Sequence, residues 1–119
     1  MNTFSEEEAK KKDGLRNYKV IETKKIKTLP LVKILDKHLP KSTEIDFISI
    51  DVEGLDFMVI QSNDWHQYRP KYILIEDLQK RPIAHIIEQS ALYEYLNKLN
   101  YNLVAKTFNT LFFKDTTAL

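Results

Sequence analysis

Hydrophobic positions crowd the middle of the chain and thin out toward its beginning. Ile45, Phe47, Ile48 and Ile50 form a short, nearly continuous apolar run, and Tyr72, Ile73, Leu74 and Ile75 form a second. Runs of this kind, without polar alternation, predict strands buried on both faces. Between them Leu55, Met58, Val59 and Ile60 recur at helical spacing, which predicts a short helix crossing over between two parallel strands. Ile83, Ile86, Ile87, Leu92, Leu96 and Leu99 predict helix over residues 82–99, with a break where Ser90 can cap a second segment. Residues 101–107 and 110–114, on either side of Phe108 and Asn109, predict a terminal antiparallel hairpin, followed by a loose tail from Asp115 onward.

The N-terminal quarter is more polar. Ser5 and Glu8 fit a capping box, and Glu6, Glu7 and Glu8 each stand four residues before Lys10, Lys11 and Lys12, with Gly14 as a stop. Residues 1–17 therefore predict a charged helical segment with a solvated face. Tyr18, Val20, Ile21 and Ile26 suggest a strand over residues 18–26. Thr28 can cap a helix starting near Leu29 or Pro30, with Val32, Leu35 and Leu39 on one face and Pro40 ending it. Lys24, Lys25 and Lys27 fit a solvated loop before that helix.

Parallel strands place any ligand beyond their carboxyl ends. Asp51 and Glu53 leave the first strand there, and Glu76 and Asp77 leave the second. Neighbouring strands lie about 4.8 Å apart, so these acids face one crevice. Crowded carboxylates can raise one pKa until it serves as a general base, or can hold a cation such as Mg²⁺ or Ca²⁺. The plainer alternative is that Asp51, Glu53 and Asp56 surround a helix start, where acids meet free N–H groups. The spacing is not that of a calcium loop, because Gly54 stands fourth from Asp51 rather than sixth. Trp65 is expected to pack over the sheet end with Tyr68, its N–H paired. Arg69 fits either an anionic group or a helix surface. His38, His66 and His85 lack metal-ligand spacing, with His38 suited to a helix C-terminus and the other two to the surface.

Composition narrows the options. The chain has 119 residues, 43% apolar and 29% charged, which suits one modest globular core. A net charge of +1 gives no general attraction to nucleic acid or to a membrane surface. With no cysteine there is no disulfide or thiolate chemistry. The opening residues lack an apolar signal region, and no apolar run nears the ~20 residues of a bilayer span. The expectation is a cytoplasmic protein. Gly14 and Gly54 are the only glycines, so no glycine-rich nucleotide loop can be written.

The run SIDVEGLDFMVIQSNDWHQYRPKYILIED resembles the C-terminal half of FkbM-type methyltransferases, which use S-adenosylmethionine. MNTFSEEEA, YKVIETKKIKTLPLVKIL and LNYNLVAKTFNTLFFKD resemble the family in the same order. The resemblance implies an α/β fold, the C-terminal half of a doubly wound, Rossmann-like sheet. Two parallel strands with a crossover helix would be followed by the hairpin, whose final strand slots antiparallel between its two predecessors. Residues 18–115 would form this partial domain and residues 116–119 a tail. Asp51 and Glu53 match the family motif residue by residue and Glu76 matches the end of the next strand, which makes these three the catalytic candidates. The reaction implied is O-methylation of a sugar or other hydroxylated metabolite. The half of the domain that bears the cofactor loop lies outside the likeness, so cofactor-binding residues are not identified and the chain alone is not expected to complete the pocket. That gap implies a partner, either a second copy or the missing N-terminal half. The alternative is a non-catalytic module pairing through the exposed edge of residues 45–50.

Overall fold

The computed structural model describes residues 28–77 and 80–117. The expected helix of residues 1–17 and strand of residues 18–26 lie outside them, as do residues 118 and 119. The described elements run α1 (Leu31–His38), β1 (Phe47–Ile50), α2 (Asp56–Gln61), β2 (Tyr72–Glu76), α3 (Ile83–Gln89), α4 (Ala91–Lys98), β3 (Tyr101–Lys106) and β4 (Thr110–Asp115). They build a mixed α/β fold around a four-stranded, partly parallel sheet of order β1-β2-β4-β3. β1 and β2 are parallel, β2 and β4 antiparallel, and β4 sits between its two predecessors, as expected.

The helical region after β2 divides where the sequence indicated. Ser90 leaves helical geometry between α3 and α4, and its Oγ accepts the Tyr93 N–H at 3.2 Å. α1 begins differently from expectation. Pro30, not Thr28, is its N-cap residue and supplies no side-chain bond. The Ser62 hydroxyl after α2 accepts the Leu31 N–H at 2.9 Å instead, so the cap comes from 31 residues away.

The core lies on one face of the sheet. Ile50, Ile73, Ile75, Leu111 and Phe113 alternate inward from adjacent strands, and Ile60, Ile86 and Leu96 meet them from the helices. The opposite face presents Phe47, Ser49, Tyr72, Leu74, Phe112 and Lys114. Phe47 is 62% exposed and Tyr72 40%. The expectation of strands buried on both faces is thus corrected: α2, α3 and α4 contribute to a core on one face while α1 buries no residue, and the outward residues of the apolar runs stay exposed or half-buried. α2 likewise turns Ile60 inward and leaves Met58 66% exposed.

Trp65 is buried, and its indole N–H donates to Ile60 O at 2.9 Å. Its ring partner is Tyr101, edge-on at 5.5 Å, rather than Tyr68, whose hydroxyl donates to Asp36. Arg69 lies over the Tyr101 ring and pairs with Asp115 at 2.7 Å. Asp115 therefore ends β4 as a buried residue rather than opening a loose tail. Thr117 returns two hydrogen bonds to its carboxylate, and Thr116 bonds to Asn100 O. Among the described residues no helix is long and apolar enough to cross a membrane.

Candidate functional site

Parallel pairing sets Ile50 opposite Ile75, so β1 and β2 end together and the residues that follow share one edge. Asp51 leaves β1 there, and Glu76 is the last residue of β2. Beyond Asp51 the chain reverses sharply. The Leu55 N–H donates to Val52 O at 3.2 Å, and the two residues between have positive φ, +49° at Glu53 and +92° at Gly54. This is the φ pattern of a type I′ turn. No atom lies within 4 Å of where a Gly54 Cβ would stand, so the backbone angle, not lack of space, requires glycine. Glu53 takes the same hand of backbone without glycine's freedom, at a cost of about 1 kcal/mol or more.

The acids around this turn have different tasks. Asp56 opens α2, is buried, and accepts the Val52 N–H at 3.2 Å. Burial pushes its pKa up, the N–H groups of Val52, Gly54 and Asp56 itself oppose that rise, and the Asp51 charge adds to it. The helix-start explanation is right for Asp56, which fastens the turn. Glu53 is half-buried, and its Oε2 has no hydrogen-bond partner among the described residues. Glu76 is held above the ordinary carboxyl range, first by a hydrogen bond with the Asp51 carboxyl, then by burial and by the charges of Asp51, Asp56 and Glu53. The fold therefore gathers Asp51, Glu53 and Glu76 at one edge, where the Asp51 carboxyl is the largest cause of the raised Glu76 pKa.

Asp77, the fourth acid at this edge, is a fastening rather than an open group. Its carboxylate accepts the Arg81 N–H at 2.8 Å and faces the Arg81 guanidinium at 3.4 Å. Its own N–H donates to Asn109 O at 2.7 Å, which ties the end of β2 to the tip of the β3–β4 hairpin.

Two small clefts flank Glu76. One, of about 150 Å³ on the helix-covered side, is lined by Gly54, Asp56, Phe57, Asp77, Arg81 and Leu92. The other, of about 230 Å³ on the open face, is lined by Ser49, Asp51, Leu74, Glu76, Asn109 and Thr110. Sequence reasoning missed Asn109 and Thr110. They reach the site because β4 pairs with β2 and sets Thr110 opposite Glu76, and nothing local to the hairpin signals that register. Each cleft is smaller than the roughly 300–1,000 Å³ that encloses a drug-sized ligand. Among the described residues no group of three or more histidines, cysteines or acids is arranged to hold a metal ion.

The family model described as the methyltransferase FkbM domain matches residues 1–103 of the chain. No curated protein and no solved structure matches significantly. The match takes in β1, α2, β2 and the turn between Asp51 and Asp56, the elements that build the acidic edge. The chain belongs to the FkbM methyltransferase domain family.

Proposed function

We propose that this chain contributes the acceptor-activating edge of an S-adenosylmethionine-dependent O-methyltransferase, acting on a sugar or another hydroxylated metabolite. The observation that supports it best is the paired Asp51 and Glu76 at the end of two parallel strands, with Glu76 raised toward proton uptake. The family generally uses S-adenosylmethionine. The residues present fit its hydroxyl-bearing and positively charged parts: three carboxylates supply acceptors and negative charge, and Glu53 Oε2 is buried without a partner among the described residues. Asp51 and Glu53 would hold those parts, in the crevice of a doubly wound sheet. When bound, the cofactor supplies an electrophilic methyl group.

The protein's own part is proton handling and orientation. Glu76 accepts the proton of the acceptor hydroxyl, because the neighbouring Asp51 carboxyl raises its readiness to take one up. Asp56 keeps the turn closed and so holds Asp51 in place. Calorimetric titration of the full chain with S-adenosylmethionine and S-adenosylhomocysteine tests the reading. A second copy of the chain completes the pocket on this reading, so saturable binding that Asp51→Asn and Glu53→Gln each weaken at least tenfold is expected at concentrations where the chain self-associates, and a folded, self-associated chain that takes up neither compound overturns it.

A second reading is favoured by the exposure of β1. It is the outermost strand of the described sheet, with Phe47 62% exposed, and an unprotected edge invites pairing with another chain. On that reading the chain is an interaction module that dimerises through β1. Light scattering on the calorimetry sample decides: a dimer that Phe47→Lys converts to monomer is expected, and a monomer at all concentrations removes the reading.

A further inference from the structure

The two edges of the described sheet are not alike. β3, at one edge, carries a bulge between Leu103 and Ala105, a feature that twists an edge and discourages further pairing. β1, at the other, runs regularly from Phe47 to Ile50 with neither bulge nor proline. In a parallel ladder alternate residues serve one neighbour. Asp46 O accepts the Tyr72 N–H at 3.1 Å, so the even-numbered residues of β1 bond to β2. Phe47 and Ser49 therefore turn their N–H and C=O groups to the free edge, and Asp51 continues the same set. The side chains of these residues stand on the open face, where Ser49 and Asp51 line the cleft beside Glu76.

An identical strand can meet this edge antiparallel, around a two-fold axis normal to the sheet that keeps both open faces on one side. The bonds the chain already makes choose the register. An axis at Ile48 joins Phe47 to Ser49 and would next need Ile45, whose carbonyl is turned inward to the Lys71 N–H at 2.9 Å. An axis at Ile50 joins Ser49 to Asp51 and would next need Glu53, which leaves extended backbone at φ +49°. An axis at Ser49 joins Ser49 to its own copy and Phe47 to Asp51, about six hydrogen bonds in all, with every outward-facing residue used. It also sets Ile48 against Ile50 on the core face, an apolar cross-strand pair. Residues directly opposite lie about 5.5 Å apart and point to the same side. The exposed Phe47 ring of one copy then falls beside Asp51 of the other.

We propose that two copies of this chain join through β1 with Ser49 on the two-fold axis, and that the partner's Phe47 forms a wall of the open-face cleft beside Asp51 and Glu76. A phenyl ring there excludes water from the edge where Glu76 takes up its proton. The role of the cleft rests on the methyl-transfer reading, but the pairing does not require turnover. The chain has no cysteine, so introduced ones report the register without interference. Under mild oxidation Ser49→Cys is expected to form a covalent dimer, and a mixture of Phe47→Cys with Asp51→Cys to form the mixed dimer, because both pairs fall within disulfide reach. Phe47→Cys alone should not cross-link, since its two copies lie about 13 Å apart along the strands. Ser49→Pro is expected to give a folded monomer by circular dichroism and light scattering, because it removes only an N–H that faces the free edge. A wild-type chain that stays monomeric, or Phe47→Cys that cross-links to itself as readily as Ser49→Cys does, overturns the shared wall. The expected cross-links in a dimer that takes up no S-adenosylmethionine leave the shared wall standing and overturn methyl transfer by this chain. Uptake of S-adenosylmethionine by a monomeric chain does the reverse.

Discussion

Replacing Asp115 by alanine is expected to lower the unfolding free energy by about 3 kcal/mol, because removing one partner of a buried ion pair strands the other. For a small domain with roughly 5–15 kcal/mol in hand, that is a large share. The Arg69 guanidinium is the hub. Its Nη2 donates to Asp115 Oδ1 at 2.7 Å and its Nε to Oδ2 at 3.3 Å, the two-pronged geometry that suits arginine and carboxylate. Further bonds reach Leu99 O at 2.8 Å and Trp65 O at 3.3 Å. One cation therefore ties the loop after α2, the end of α4 and the end of β4, over the buried face of Tyr101. Equilibrium urea unfolding followed by tryptophan fluorescence checks the expectation, since Trp65 packs against the same Tyr101 ring. Arg69→Ala should cost a similar amount, and the double variant clearly less than the sum, as coupled partners require. Additive losses would show that the pair does not act as a unit.

The same pair sets the acid limit of the fold. Burial pushes the Asp115 carboxyl up, but the hydrogen bonds from Arg69 and Thr117 outweigh it and leave the pKa below its ordinary value. The folded state then binds the proton less readily than the unfolded chain does. The stabilisation is complete above the unfolded value near 4 and is lost as pH falls through the folded value.

Much of this arrangement was legible in the sequence where a local rule decides the outcome. The apolar runs around Ile48 and Ile73 marked strands, Ser90 marked the break between α3 and α4, and the acids at the strand ends marked the edge where a site can form. What escaped was set by partners distant in the chain. Asp115 sits where the apolar pattern ends and looks like the start of a tail, yet its partner Arg69 is 46 residues earlier. Asn109 and Thr110 carry no local sign of function and enter the site only through the β2–β4 register. The inward face of α2 is not legible in its sequence, because six residues span fewer than two turns, too few for a period to show which of Met58 and Ile60 points inward. The apolar runs gave no sign that one face of the sheet lies open, since periodicity reports how apolar a strand is and not what covers it.

Replacing Glu76 by glutamine is expected to do two opposite things at once, and the combination distinguishes a working acid from a merely structural one. Glutamine keeps the shape and can still hydrogen-bond to Asp51, but it cannot take up a proton. If Glu76 is the base, methyl transfer by the active assembly should fall by about 10²-fold or more, the usual worth of a positioned proton acceptor. Stability at neutral pH should rise instead. The Asp51 carboxyl, burial and the charges of Asp51, Asp56 and Glu53 all hold Glu76 above its ordinary pKa, so its ionised form is a burden on the folded state. A raised folded pKa means that the folded protein binds the proton more tightly than the unfolded chain, and stability falls as pH rises from the unfolded value to the folded one. The wild-type deficit is therefore complete above the folded pKa and absent below the unfolded one near 4.3, and the gain from glutamine should follow the same course. Thermal unfolding of both proteins between pH 4 and 8 reads this directly. A variant that loses activity and gains stability with that pH dependence has given up a strained functional group. A variant that loses both would show that Glu76 supports the fold, and the assignment of the base would have to move to Asp51 or Glu53.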